Sequence, residues 1–256
     1  MRLPYSEQGD PSGVPLLLLH GFTDSLRSFD LVLPRLPAFI RAIALTQRGH
    51  GDASRPAAGY RISDLAADLA AFMDALHLEA AFIAGASSGG LVAQRFAMDH
   101  PERVLGLVLM GSPVTLRGKP GVVEAWNSTI SRLSDPIDPE FVRRFVMSTV
   151  AQTIPQAFFE TMVQESLKVP AYVWRAAVEG FLKDDFTAEL HKIKAPTLII
   201  WGDQDALTRD DQETLLAAIK KSRRVVYHGG GHTLIAEAPE RIAADLEAFV
   251  ESVTAP

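Results

Sequence analysis

The sequence predicts an α/β protein with a mostly parallel central sheet flanked by helices and a helical segment inserted between two strands. Short apolar runs recur along the chain and alternate with amphipathic stretches, which is typical of a parallel sheet. Hydrophobic residues make up 47% of the 256 residues and charged residues 22%, so a full core can form. One long interval, residues 112–194, shows helical patterns and no strand-like run.

Six runs are expected to be buried strands, because they are short, rich in Leu, Ile and Val, and often end in glycine. In chain order they are residues 16–20, 40–46, 80–85, 104–111, 197–202 and 223–229.

Apolar residues at helical spacing predict long helices at residues 63–77, capped by Ser63 or Asp64, and at 235–250. Four more helices are expected in the interval without strands, each with a proline at or just before its start. They lie near residues 120–133, 139–151, 155–168 and 170–183. We therefore expect one core, residues 1–111 and 195–256, that carries residues 112–194 as a helical cap.

Composition narrows the function classes. The formal net charge of -6, with no dense Lys/Arg cluster, argues against a nucleic-acid partner. The absence of cysteine excludes disulfides and thiolate catalysis. The N-terminus has no signal-peptide core, and its first apolar run, residues 14–19, is too short to cross a bilayer. We expect a cytoplasmic protein without a membrane partner, and the sequence leaves its oligomeric state open.

Residues 85–89, Gly-Ala-Ser-Ser-Gly, fit the pattern G-x-S-x-G between a predicted strand and a predicted helix. In that context the pattern indicates a sharp turn that exposes a nucleophilic serine at a helix N-terminus. Ser87 is favoured because the positions two residues before and after it, Gly85 and Gly89, are both glycine. Ser88 stays an alternative, since its own flanks, Ala86 and Gly90, are also small.

A serine nucleophile needs a base and an orienting acid, which in this architecture follow in the order Ser, acid, His. Asp203 and Asp205 both follow the strand that ends at Gly202, and either could be the acid. His232 follows a triple-glycine loop and is the candidate base. His228 lies four residues earlier, but the intervening glycines make a helical metal pair implausible. We therefore expect no metal and no cofactor, and His228 is expected to pack at a strand end.

An oxyanion needs preorganised N–H donors. The loop after the first strong strand, His20-Gly21-Phe22, could supply the Phe22 amide, and the elbow could supply the Ser88 amide. Both donors are main-chain groups, so this role does not dictate their side chains.

These motifs together resemble the α/β-hydrolase fold, in particular small bacterial serine hydrolases with a helical cap. The similarity covers essentially the whole chain, through residues 20–22, 47–54, 85–90, 100–109, 195–205 and 229–240. It implies Ser87 as nucleophile, His232 as base and Asp205 as acid, the last because Gly202 to Asp205 matches the family pattern G-x-x-D. It also implies an oxyanion hole of the Phe22 and Ser88 amides. Departures at Thr46, Ala86 and Ser88 leave substrate choice open.

The predicted cap is rich in large apolar side chains, and Trp126, Phe145 and Trp174 are expected to line an acyl pocket. The leading hypothesis is hydrolysis of a small-molecule ester or lactone with an apolar acyl part, which includes acyl-homoserine lactones. One alternative is C–C hydrolysis of ring-cleavage products, which needs an arginine such as Arg95, Arg143, Arg144 or Arg175. Others are cofactor-free perhydrolase or haloperoxidase activity, and a non-catalytic ligand receptor.

Overall fold

The computed structural model describes residues 1–255 and contains one seven-stranded sheet. The strands are β1 (Tyr5–Gln8), β2 (Val14–Leu19), β3 (Ile40–Leu45), β4 (Ala81–Ala86), β5 (Val104–Met110), β6 (Thr197–Gly202) and β7 (Ser222–Tyr227). Their order across the sheet is β1-β3-β2-β4-β5-β6-β7. Every neighbouring pair is parallel except β1 with β3. The predicted fold class is confirmed.

All six apolar runs form strands, but the sequence prediction missed β1. This strand has only four residues, Tyr-Ser-Glu-Gln, and its burial alternates between exposed and half-buried. It pairs antiparallel at the sheet edge, with Tyr5 opposite Leu45. An edge strand with one solvated face needs no apolar run, so the signal used for the other strands was absent.

The helices are α1 (Ile62–Ala75), α2 (Ser88–Asp99), α3 (Pro120–Ser128), α4 (Pro139–Met147), α5 (Gln156–Leu167), α6 (Ala171–Lys183), α7 (Asp211–Ala218), α8 (Leu234–Glu237) and α9 (Pro239–Thr254). Helices α3 to α6 all lie between β5 and β6, where four helices were expected. No helix within residues 1–255 is long and apolar enough to span a bilayer.

Two details of the helices differ from the sequence prediction. Helix α1 is capped by Arg61, and the Asp64 carboxylate accepts a hydrogen bond from the Arg61 amide at 2.9 Å. The helix expected at 235–250 is two helices, which meet at Ala238. Pro239 opens the second one, because proline lacks the N–H that would continue the first helix and is well accommodated in a first turn.

Alternate residues of the central strands enter cores on opposite faces of the sheet. Leu17 and Leu19 of β2 belong to one buried cluster, and Leu16 and Leu18 belong to the other. The first cluster also contains apolar residues of α4 to α6, including the fully buried Trp174, and half-buried residues of α3 pack against it. The helical segment 112–194 therefore shares a core with one face of the sheet.

The parallel strands bring the predicted site residues to one edge of the sheet. The loop containing Phe22 follows β2, Ser87 follows β4, Asp205 follows β6 and His232 follows β7. Carboxyl ends of neighbouring parallel strands lie side by side, and open α/β sheets bind ligands there.

Candidate active site

Ser87 occupies a sharp turn between β4 and α2 with φ 52° and ψ -120°. A positive φ is rare for a residue with a side chain and stores backbone strain. Two hydrogen bonds hold the turn: the Ser87 amide donates to the Met110 carbonyl at 2.9 Å, and the Gly90 amide donates to the Ser87 carbonyl at 2.9 Å. The neighbouring strand and the first helical turn therefore fix the serine.

Close backbone approach explains the glycines that flank Ser87. A Cβ on Gly85 would lie 2.3 Å from the Gly89 carbonyl oxygen, and a Cβ on Gly89 would lie 2.4 Å from the Leu19 carbonyl oxygen. Both distances are impossible for a real side chain, so the strand and helix can meet at this turn only with glycine at both positions.

A line of two hydrogen bonds connects Ser87, His232 and Asp205. The Ser87 Oγ lies 2.8 Å from His232 Nε2, and His232 Nδ1 lies 2.8 Å from Asp205 Oδ2. With the proton on Nδ1, Nε2 can accept from the serine hydroxyl. Ser88 is buried as the first residue of α2, and among residues 1–255 the His232 ring bonds to Ser87 and Asp205 but not to Ser88.

Hydrogen bonds keep Asp205 charged although its side chain is only 1% exposed. Burial raises the pKa of Asp205, but hydrogen bonding and charge from His232 and a hydrogen bond from the Thr208 hydroxyl outweigh it, so the pKa lies below its ordinary value. The Thr208 Oγ1–Asp205 Oδ2 distance is 2.5 Å, and the Leu207 amide donates to Asp205 Oδ1 at 3.0 Å. The sequence analysis did not single out Thr208.

Asp203 has a different place from Asp205. Its carboxylate accepts from the Gly229 amide at 2.8 Å and lies 2.9 Å from His228 Nδ1. Hydrogen bonds from Gln204, His228 and Gly229 lower the pKa of Asp203 to about 2. The expectation that His228 packs at the strand end was wrong: its side chain is 87% exposed, and its Asp203 contact lies at the surface.

The amides of Phe22 and Ser88 both belong to residues that line the cavity at Ser87. Within residues 1–255, neither amide donates a hydrogen bond to another protein group. The Ser88 amide is also one of the free N–H groups at the N-terminus of α2. Both donors are therefore available to a ligand oxygen.

His20 braces the loop that carries Phe22. Its Nδ1 lies 2.8 Å from the Gly21 carbonyl, and its Nε2 accepts from the Gln47 amide at 3.0 Å. Burial, with the neighbouring His50 contributing, lowers the pKa of His20 to about 3. The ring is neutral near pH 7, as its one donor and one acceptor contact require.

A cavity of about 480 Å³ opens above Ser87, within the range usual for small-molecule sites. Its walls are mainly apolar and include residues of the segment 112–194: Leu116, Val122, Ala125, Ile130, Phe145, Val146, Met162, Val178 and Phe181.

The three aromatic residues expected in the pocket have different positions. Phe145 lines the cavity. Trp174 is fully buried behind the wall, with ring centroids 5.0 Å from Phe22 and 5.1 Å from Phe145. Trp126 is half-buried and packs on the apolar core outside the lining. The sequence showed that this segment is rich in large apolar side chains but could not distinguish a core-facing residue from a cavity-facing one.

The cavity wall has few charges. Among residues 1–255, the ionisable side chains that line it are Asp24, Asp205 and His232, with no lysine or arginine. The arginines considered for carboxylate binding lie elsewhere: Arg95 pairs with Asp99 and Glu189, Arg143 pairs with Glu160, Arg144 is exposed, and Arg175 donates to the Leu133 carbonyl.

A set of hydrogen bonds ties the segment after α4 to the loop that carries His232. The Thr149 carbonyl accepts from the His232 amide at 3.1 Å and from the Thr233 amide at 3.1 Å. The Glu237 carboxylate spans the same junction, accepting from the Ala151 amide at 2.6 Å and from the Gly231 amide at 2.6 Å. The helical segment between β5 and β6 therefore helps to position His232.

We expect Glu237→Gln to lower kcat about tenfold or more with little change in KM. Glutamine keeps the shape but supplies one acceptor oxygen for two amides, and small displacements of a catalytic group are costly. Steady-state kinetics on an ester substrate measures this. Glu240→Gln is the matched control, since Glu240 is 70% exposed and its ion pair is with Arg35, away from the His232 loop. Equal kcat for Glu237→Gln and wild type would contradict the positioning role.

Comparisons with known proteins show the family to which this fold belongs. A sequence profile described as "alpha/beta hydrolase fold" matches residues 14–239. The chain is 28% identical to a non-heme chloroperoxidase of Streptomyces lividans, over 97% of this chain and 95% of that protein. It is 31% identical to a poly(3-hydroxyalkanoate) depolymerase of Ectopseudomonas oleovorans, over 95% of this chain and 86% of that protein.

Among solved structures, Est816, described as an N-acyl homoserine lactone degrading enzyme, aligns with a TM-score of 0.82 at 26% identity and covers 96% of each chain. The profile match spans most of the chain, and the sheet order and the serine turn are present. The chain belongs to the alpha/beta hydrolase fold family.

Proposed function

We propose that this protein hydrolyses a carboxylic ester or lactone through an acyl-enzyme. The observation that carries the proposal is the hydrogen-bonded line from Ser87 through His232 to Asp205 at the base of an apolar cavity. A serine hydroxyl is a weak nucleophile, and a base oriented by a buried carboxylate is the arrangement that activates it.

In the proposed reaction, Ser87 Oγ attacks the carbonyl carbon while His232 Nε2 takes its proton. The amides of Phe22 and Ser88 donate to the oxyanion of the tetrahedral intermediate. His232 then gives the proton to the leaving alkoxide, which departs from an ester or stays attached in a lactone. A water attacks the acyl-enzyme with His232 again as base, and Ser87 regains its proton as the acid is released.

The cavity wall supports a substrate with an apolar acyl part, since most of its residues are apolar. We propose that residues 112–194 act as a lid, because their side chains form much of this wall and exclude water from the reacting carbonyl. The absence of arginine and lysine from the described lining argues against C–C hydrolysis of acidic ring-cleavage products, since a buried carboxylate without a cation is strongly unfavourable.

Two of the similar proteins support ester or lactone chemistry, whereas another is a non-heme chloroperoxidase. The similar proteins include a poly(3-hydroxyalkanoate) depolymerase and an N-acyl homoserine lactone degrading enzyme. Their names describe enzymes whose substrates contain ester or lactone bonds. We propose a small-molecule ester or lactone as the substrate of this chain too.

The test is proton release at constant pH on ethyl acetate, ethyl octanoate and monoethyl suberate. We expect kcat/KM for the octanoate to exceed that for the acetate by at least about tenfold, because each buried methylene adds binding free energy. The suberate has the same acyl length but ends in a carboxylate, and we expect at least about a tenfold loss from desolvating that charge. Equal values for all three esters would contradict the apolar pocket.

A further inference from the structure

Asp24 lies beside the proposed nucleophile and has no part in the mechanism above. It belongs to the loop after β2 and lines the cavity. Its Oδ2 lies 3.4 Å from the point that a Cβ on Gly21 would occupy, and the Ser87 Cβ lies 3.3 Å from the same point. These two distances put the Asp24 carboxyl oxygen within about 7 Å of the Ser87 Cβ, so the carboxyl group lies near the space that the substituents of a bound carbonyl would occupy.

Within residues 1–255, the groups that act on Asp24 include no lysine or arginine. The groups that act on its carboxyl are the Ser28 side chain, His232 and Glu165. Glu165 itself forms an ion pair with Lys168, with a distance of 2.8 Å between Glu165 Oε1 and Lys168 Nζ. Burial raises the pKa of Asp24 to about 7, and the negative charge of Glu165 adds to this, while the Ser28 hydrogen bond and His232 oppose it.

A carboxyl group has more hydrogen-bonding capacity than one hydroxyl partner can use. In an otherwise mainly apolar wall, unused capacity is costly unless a ligand supplies the missing partner. A neutral donor fits better than an ammonium group, which brings three N–H donors and a full charge into a mainly apolar wall. The donor must also lie close to the reacting carbonyl, because Asp24 and Ser87 flank the same glycine.

We propose that Asp24 is a specificity-determining residue that selects esters or lactones with a hydroxyl or amide N–H on the first or second carbon from the scissile carbonyl. The inference rests on the proposed function and names its substrate class. A site built to bond such a group rejects an analogue without it, because the site's own polar group then stays unpaired.

The experiment compares kcat/KM for matched esters that differ only in the donor. The hydroxyl pairs are ethyl 2-hydroxyhexanoate and ethyl 3-hydroxyhexanoate, each against its methyl ether. The amide pair is ethyl 2-acetamidohexanoate against its N-methyl derivative. Each pair is measured with wild type, Asp24→Ala, Asp24→Leu and Asp30→Ala. Asp30 is the matched control, since it lies six residues away, pairs with Arg27 and does not line the cavity.

We expect wild type and Asp30→Ala to prefer the donor in at least one pair by about 10- to 100-fold. Asp24→Ala and Asp24→Leu should bring that ratio close to one. The ratio is insensitive to a general loss of activity, and thermal unfolding of each variant shows that it is folded. The second variant supplies the ratio if the first does not fold.

Two results would overturn the inference and leave the proposed function in place. In one, wild type hydrolyses the esters with ratios within about twofold in every pair. In the other, the preference persists in both Asp24 variants. If wild type hydrolyses no ester, including plain ethyl hexanoate, the proposed function fails and the inference fails with it.

Discussion

Ser87→Ala is expected to lower kcat by about 10⁵- to 10⁶-fold, the size of loss produced by removing a serine nucleophile that acts with its base as a unit. The reason is geometric: Ser87 Oγ is 2.8 Å from His232 Nε2, and alanine leaves no group there to attack a carbonyl. Binding should change far less, since the apolar wall is untouched. Proton release with an ester substrate measures kcat and KM together.

Ser88→Ala is the control for this prediction. Ser88 follows Ser87 directly and is buried at the start of α2, but its proposed contribution is its amide, which alanine retains. We expect it to lose less than about tenfold in kcat. A large loss for Ser88→Ala together with a small loss for Ser87→Ala would assign the nucleophile to the other serine.

Asp205→Asn is expected to lower kcat by about 10⁴-fold, as amide replacement of a buried triad carboxylate does. The carboxylate accepts from His232 Nδ1 and thereby leaves Nε2 free to take the serine proton. An asparagine that donates its N–H₂ group to Nδ1 would instead stabilise the opposite tautomer. Stopped-flow kinetics at several pH values measures the loss.

Asp203→Asn provides the comparison for Asp205. Asp203 lies two residues earlier at the end of the same strand, but it contacts His228 and Gly229 rather than His232. We expect a loss of less than about tenfold, through a looser loop. Equal losses of kcat for the two variants would show that the pairing of Asp205 with His232 does not determine the rate.

The sheet was predictable because its central strands are buried on both faces and are therefore apolar throughout. Strand β1 was not, since it is a short edge strand with alternating burial. The four helices between β5 and β6 were visible from their prolines and apolar spacing. The break at Ala238 was missed because the apolar period continues through it, although Pro239 was the available signal.

The site was predictable where a backbone constraint requires a particular residue type, which can then be recognised in the sequence. The glycines around Ser87 follow from contacts that allow no Cβ. The loops after β6 and β7 each contain few polar residues that could be the acid or the base. The cavity wall was not predictable, because its residues come from separate helices whose rotation the spacing does not fix. Trp174 shows this, being fully buried behind the wall. Asp24 was missed too, although its place four residues after His20, in the loop with a proposed oxyanion donor, was a usable signal.

Covalent trapping of the nucleophile tests the central claim most directly. The protein is incubated with a fluorophosphonate that bears an alkyl chain, and the labelled residue is located by fragmentation of the modified peptide. The account predicts one label per chain, on Ser87, with labelling slowed strongly in His232→Gln. A label on Ser88, no label at all, or labelling as fast in His232→Gln as in wild type would contradict it.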